Sequence, residues 1–254
     1  MLDIHLVPLL ADNYAYLIRD TESGKTAVVD PSVADGVVAE LENRKWGLDY
    51  ILNTHHHYDH VGGNLELKQR YDCKIVGFAG DRKRIPGLDI AVEIGQELEI
   101  GNSKAKILGA AGHTHGHILY WFPSSQALFS GDTLFSLGCG RLFEGTPEEM
   151  WKSLSALHAL PGSTQVYCGH EYTADNAAFA LTIDPNNHAL LERCKEIDRL
   201  VRAGLPTIPS TLSSEWECNP FLRASDPAIR AQLNLASARD VTVFAEIRKR
   251  KDLF

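Results

Sequence analysis

The sequence has no apolar run approaching the roughly 20 residues that a helix needs to cross a bilayer, so no membrane span is expected. It also lacks a basic segment followed by an apolar one at its start. Met1-Leu2-Asp3-Ile4-His5 carries an early acid, and a secretory leader is not expected. Cysteine is sparse: Cys73, Cys139, Cys168, Cys194 and Cys218 are odd in number, scattered and without a C-x-x-C pair. That argues against a disulfide framework and against a cysteine-bound structural zinc. Positive charge is in deficit, 25 Lys and Arg against 33 Asp and Glu for a net charge of −8, so no general affinity for nucleic acid is expected. Solenoid repeats and low-complexity tracts are absent too. What remains is a cytoplasmic protein without nucleic-acid or membrane partners, expected to be a monomer, whose 254 residues can bury a substantial core.

Histidine, by contrast, is concentrated. Thr54-His55-His56-His57-Tyr58-Asp59-His60-Val61-Gly62-Gly63 packs four imidazoles and a carboxylate into six positions, directly after the apolar run Tyr50-Ile51-Leu52-Asn53. That run reads as a short buried strand, and near a strand's end residues two apart point to the same side. His55 and His57, and with them Asp59, can then face one cavity while His56 and Tyr58 face away. His60 follows on a loop that Gly62 and Gly63 free to turn tightly into a helix. Imidazole and carboxylate without thiolate suit zinc, iron or manganese.

Strand patterns at 5–10, 14–19 and 26–30 precede a helical pattern over 33–44 that carries Val37, Val38 and Leu41. After strand 50–53 come a helix over 64–71 and a strand at 74–77. A second half repeats the idea with strands at 97–100, 104–108, 118–122 and 127–130. Gly112-His113-Thr114-His115-Gly116-His117 lies between two of these, and Gly131-Asp132-Thr133 follows the last. Thr146-Pro147-Glu148-Glu149 is a helix start, with Met150, Trp151, Leu154 and Leu157 as the apolar stripe. Strand 165–168 then runs into Gly169-His170. Strand signals fade from Glu171 onward, which places a boundary near 173 between a metal domain, 1–173, and a small helical domain, 174–254, that must lean on the first.

Four strand ends thus deliver His or Asp, and the donors can be assigned. His55, His57 and His113 offer nitrogens to one metal; Asp59, His60 and His170 could hold a second; Asp132 has two oxygens with which to bridge them. Water between two cations loses a proton near neutral pH and becomes a nucleophile, so a paired-metal hydrolase needs this asymmetry. His117 reads as a hydrogen-bonding support, His115 as a loop residue, and His5, His158 and His188 as surface or core residues. The run Arg248-Lys249-Arg250-Lys251, taken alone, reads as the solvated end of an amphipathic helix.

The motifs T-H-x-H-x-D-H, G-H-T-x-G-H, S-G-D-T and C-G-H-E-Y resemble those of the metallo-β-lactamase superfamily. Within it, Gly138 to Thr146, His170-Glu171-Tyr172-Thr173 and the basic C-terminus resemble the glyoxalase II, or hydroxyacylglutathione hydrolase, family over essentially the full chain. The resemblance implies an α+β fold, a four-layer αβ/βα sandwich followed by a helical domain that closes over the substrate. It also implies hydrolysis of S-D-lactoylglutathione to D-lactate and glutathione, which ends the glutathione-dependent detoxification of methylglyoxal. The metal ligands it implies are His55, His57, Asp59, His60, His113, Asp132 and His170, holding two divalent ions, zinc first with iron or manganese as alternatives, and Asp59 also orients the hydroxide. For the glutathione thioester it implies Arg141, Leu142, Phe143, Tyr172, Arg248 and Lys251. Some members carry a lysine and a tyrosine where this chain has Arg141 and Phe143; the charge is kept and a hydroxyl is lost. Competing activities on the same fold are a lactonase or phosphodiesterase, and a sulfur dioxygenase that uses one iron.

Overall fold

The computed structural model describes residues 1–254. The chain divides into two compact units, Met1–Gly109 with Gly116–Gly131, and Ala110–His115 with Asp132–Phe254. Strands and helices are mixed in an α+β arrangement, and no helix is long and apolar enough to cross a membrane.

In the first unit β1 (Leu2–Leu9), β2 (Asn13–Asp20), β3 (Thr26–Val29), β4 (Tyr50–Leu52), β5 (Lys74–Phe78) and β6 (Ile90–Val92) lie in that order in one sheet. The first three pair antiparallel, as short turns allow; β3 to β6 pair parallel. Parallel strands need crossovers, and here α1 (Ala34–Arg44), α2 (Tyr58–Val61) and α3 (Asn64–Tyr71) lie in them. Val37, Val38 and Leu41 of α1 bury against Val28, Ile51 and Ile75, so the helical spacing seen in the sequence is a core stripe. The helix stops where Lys45 turns left-handed, φ 57°, and its N–H reaches the carbonyls of Leu41 and Glu42.

The same unit holds the antiparallel run β7 (Glu97–Ile100), β8 (Ser103–Gly109), β9 (Ile118–Phe122) and β10 (Ala127–Gly131). Strands β7 and β8 alternate exposed and buried residues, as a strand with one wet face does. Gly101 closes the turn between them at φ +60°, where a Cβ would also meet the Ser23 hydroxyl at 1.9 Å.

The second unit opens with a short hairpin, β11 (Leu134–Phe135) and β12 (Gly138–Cys139). Helix α4 (Pro147–Ala156) starts with the expected capping box between Thr146 and Glu149. Strand β13 (Gln165–Cys168) follows, then α5 (Thr173–Ile183) and α6 (His188–Arg202). Ser210–Thr211 form β14, paired antiparallel with β13, inside the stretch where the sequence showed only helical signals. Two residues are too few to leave a periodic signature, and only their partner makes them a strand. Helices α7 (Leu212–Cys218), α8 (Pro227–Gln232) and α9 (Asp240–Leu253) complete the chain. Their core is aromatic: Phe244 lies 5.9 Å from Trp151 and 6.0 Å from Phe221, which lies 6.0 Å from Phe179.

Candidate metal-ligating clusters and a basic cavity

In the first unit the histidine loop hangs from the end of β4. The Asn53 amide bonds to the Val76 carbonyl (2.9 Å), and its side chain donates to the His60 carbonyl (3.0 Å), so one buried residue ties the two ends of the loop. His60 lies in the one-turn helix α2 rather than on an open loop. Gly62 and Gly63 have ordinary negative φ values, −61° and −81°. Their requirement is space: a Cβ on Gly62 would sit 2.3 Å from the Ser32 carbonyl, and one on Gly63 3.0 Å from that of Pro31.

Asp30, just after β3, orients the loop. Its left-handed backbone, φ 48°, is one that Asp tolerates better than most residues. Its carboxylate accepts from the Thr54 amide (2.8 Å), the Thr54 hydroxyl (2.6 Å) and His60 Nδ1 (3.1 Å). Because the Thr54 hydroxyl gives its proton to Asp30, it accepts from His55 Nδ1 at 3.1 Å. These partners fix the tautomers of His55 and His60 so that each keeps a bare Nε2, the arrangement a metal-bound imidazole requires. Asp30, His55 and His60 also bring donor atoms within 4.8 Å of one another. The three bonds Asp30 accepts make it a support for this loop rather than a ligand.

The remaining loop residues divide as expected. His55 Nε2 and His57 Nδ1 are 3.0 Å apart. Asp59 Oδ2 accepts from Asn13 Nδ2 at 3.1 Å and lies 3.6 Å from His60 Nε2. His56 turns to Asp81 and Arg84 (both 3.3 Å), and Tyr58 is 78% exposed. His117 is buried and stacks on His55, with centroids 4.7 Å apart.

In the second unit His113, Asp132 and His170 converge. Asp132 Oδ2 lies 3.5 Å from His113 Nε2 and 3.4 Å from His170 Nε2. Two ligands about 2.1 Å from a tetrahedral ion stand about 3.4 Å apart, so these separations fit donors sharing cations. His113 Nδ1 donates to the Arg141 carbonyl (2.9 Å), which again leaves Nε2 bare. The His170 ring stacks on Tyr172 at 4.7 Å. Gly140 permits the approach to Asp132, since a Cβ there would fall 1.9 Å from the Asp132 carbonyl.

A cavity of about 400 Å³ opens beside this set and is lined by His113, Asp132, Arg141, Phe143, Tyr172, Arg248 and Lys251, together with Phe135, Cys139, Gly140, Asp175 and Asn176. Leu142 is half-buried and not among the lining residues. Arg248 is buried, against the solvated-end reading of its run, while Lys249 and Arg250 are exposed. Lys251 Nζ donates to the Asp175 carbonyl (3.1 Å) between the rings of Phe179 and Phe254. Burial holds its ammonium below the ordinary lysine value of 10.5; Arg248 and Arg141 push the same way and Asp175 opposes them. Burial also pushes the Cys139 thiol up to about 11 and that of Cys168 to about 12, so neither supplies a thiolate nucleophile at neutral pH. Sequence reasoning missed Asp30, Phe135, Asp175 and Asn176, and quoted Thr54, Cys139 and Gly140 within its motifs without giving them a role. For Asp30 the signal was its position at a strand's end.

Nitrogen and carboxylate donors presented at strand ends of an α+β fold define a metalloprotein of the metallo-β-lactamase type, and residues 11–170 match the metallo-β-lactamase superfamily model. Residues 171–254 match the model described as the hydroxyacylglutathione hydrolase C-terminus. A hydroxyacylglutathione hydrolase of Methylococcus capsulatus is 56% identical over 100% of this chain and 99% of its own length. One of Rhodospirillum rubrum is 53% identical over 100% and 99%. The chain belongs to the hydroxyacylglutathione hydrolase family of the metallo-β-lactamase superfamily. The crystal structure of ETHE1 from Myxococcus xanthus, at 22% identity, shares the fold with a TM-score of 0.67 over 100% of this chain and 99% of that one.

Proposed function

We propose that the protein hydrolyses S-D-lactoylglutathione to D-lactate and glutathione, the second step of methylglyoxal detoxification. The observation that carries this reading is the cavity of the second unit, where His113 and Asp132 share one lining with Arg141, Arg248 and Lys251. Metal-type donors beside three bases suit a substrate that brings both a reactive carbonyl and carboxylates.

Two divalent ions, zinc with iron or manganese as alternatives, would be held by these residues: one by His55, His57 and His113, the other by Asp59, His60 and His170, with the Asp132 carboxylate available to both. When bound, such a pair supplies Lewis acidity and brings the pKa of water toward neutrality. Asp59, itself steadied by Asn13, orients the attacking oxygen. The hydroxide oxygen bonds to the acyl carbon, the C–S bond breaks, the sulfur leaves with the electron pair, and the proton of the new carboxylic acid passes to the thiolate or to solvent. A thiol of pKa about 8.5 leaves as thiolate without a dedicated general acid. Arg141, Arg248 and Lys251 hold the glutathionyl carboxylates, while Leu142, Phe143 and Tyr172 shape the wall. Tyr172 stacks on His170, and Phe143 stands edge-on to His113 at 5.2 Å. Residues 174–254 act as the substrate-binding domain on the metal domain 1–173. The protein works as a cytoplasmic monomer without nucleic-acid or membrane partners, and its five free cysteines support the reducing compartment in that reading.

The test is loss of thioester absorbance with S-D-lactoylglutathione, run beside a lactone and a phosphodiester, with metal content measured on the same preparation. Turnover of the thioester alone, at about two ions per chain, is expected. Preference for the lactone or phosphodiester, or full activity with a single iron, sinks the reading.

A further inference from the structure

We propose that Asp252 is a positioning residue that sets the Arg248 guanidinium to receive a substrate carboxylate; the inference rests on the glutathione-thioester reading. Arg248 offers five N–H donors in one rigid plane. Nε (3.0 Å) and Nη2 (2.8 Å) both donate to Asp252 Oδ1, which occupies the side edge of the guanidinium. Nη1 donates to the Cys139 carbonyl at 2.8 Å. Nη1 also lies 3.8 Å from Cys139 Sγ, so the open donor is the second N–H of Nη2. That N–H, in the guanidinium plane but turned away from Asp252, can take one oxygen of a carboxylate. The plane itself is fixed by the Phe221 ring, whose centroid lies 5.1 Å from the guanidinium carbon.

Helix geometry supplies the partner. Arg248 and Asp252 are four residues apart on α9, hence neighbours on one helix face. The pairing is lopsided: the arginine side chain is 6% exposed and the aspartate 43%. The buried partner is the one that lines the cavity, and the exposed one steers it. Asp252 Oδ1 also lies 4.0 Å from Arg141 Nε, so one carboxylate stands beside two of the three bases.

Charge alone makes the opposite prediction. Asp252 partly cancels Arg248 and Arg141, and its removal would strengthen the hold on an anion. The direction of the KM change therefore separates orientation from charge.

Steady-state kinetics with S-D-lactoylglutathione on the metal-loaded protein tests this. Asp252→Ala is expected to raise KM about tenfold with kcat within about twofold, and Asp252→Glu to bring KM back toward wild type. In an Arg248→Ala background, Asp252→Ala is expected to change KM by less than about twofold, because only the 4.0 Å contact with Arg141 is then left to the aspartate. If Asp252→Ala folds poorly, the isosteric Asp252→Asn carries the same comparison. A KM that falls or stays put, or a rise that persists in the Arg248→Ala background, overturns the inference and leaves the thioester reading standing. A wild-type protein inert toward the thioester overturns both.

Discussion

The histidine loop of the first unit and the His113, Asp132, His170 set of the second present the same donor chemistry, built in different ways. In the loop, four donors, His55, His57, Asp59 and His60, fall within six residues on a strand end and one helical turn. One buried carboxylate, Asp30, orients His60 directly and His55 through Thr54. In the second unit the donors are 19 and 38 residues apart in sequence (132 − 113 and 170 − 132), and each imidazole has its own support. His113 is held by the Arg141 carbonyl and His170 by the Tyr172 ring, while the Asp132 backbone fits closely against Gly140. Two imidazoles of the local cluster thus share one support, whereas those of the dispersed set have one each. The dispersed set has a compensating property: its supporting segments also line the cavity that recognises substrate.

The largest expected effect comes from the second set. Asp132→Ala removes the carboxylate common to both imidazoles and should lower kcat/KM at least about a thousandfold, with metal content falling in parallel on elemental analysis. Wild-type metal content in that variant would show that the imidazoles suffice. Asp30→Ala attacks the loop through the carboxylate that orients two of its imidazoles and should weaken metal affinity about 10- to 100-fold, measured by competition with a chelator. Unchanged affinity would mean that the strand end orders the loop by itself.

A smaller effect separates recognition from chemistry. As pH rises through the depressed pKa of Lys251, below 10.5, the ammonium is lost and KM for the thioester should climb. In Lys251→Met that alkaline limb should vanish from the pH profile of kcat/KM. The smallest effect concerns the frame of the second unit. Fully buried Glu215 accepts from the Leu137 amide (2.8 Å) and from Asn219 (3.0 Å), and burial raises its pKa above 4.5. Between 4.5 and the raised value the folded state keeps a proton that the unfolded state has released, so wild-type stability falls as pH rises through that window. Glu215→Gln removes the dependence. It should melt about 2 °C or more above wild type at pH 8 and level with it at pH 4. Equal melting at both values would mean that the carboxyl ionises without penalty.

Much of the frame was legible because it is local. Val37, Val38 and Leu41 announced the stripe of α1, and Thr146 to Glu149 announced the start of α4. The strand ends of β4, β10 and β13 were visible as apolar runs closing on His, Gly or Asp. Hairpin β11–β12 and the pair β13–β14 were not, since strands of two residues exist only through their partners. Gly62 and Gly63 were legible as important but for a different reason. They serve close backbone approach rather than a turn, and nothing in the sequence shows Ser32 and Pro31 beside them. The run 248–251 looked uniformly solvated, yet its first and last residues line the cavity and the two between face water.

The sequence by itself determined the donor types, the loop that holds four of them and the helix spacing that sets Asp252 beside Arg248, because chain geometry fixes distances over a few residues. Only the tertiary structure decided that Asp30 supports the loop, that His113, Asp132 and His170 meet, and that Arg248 is buried against Cys139. Those pairings span from 19 residues, between His113 and Asp132, to 109, between Arg248 and Cys139. Over such separations the covalent chain sets no distance, and packing does.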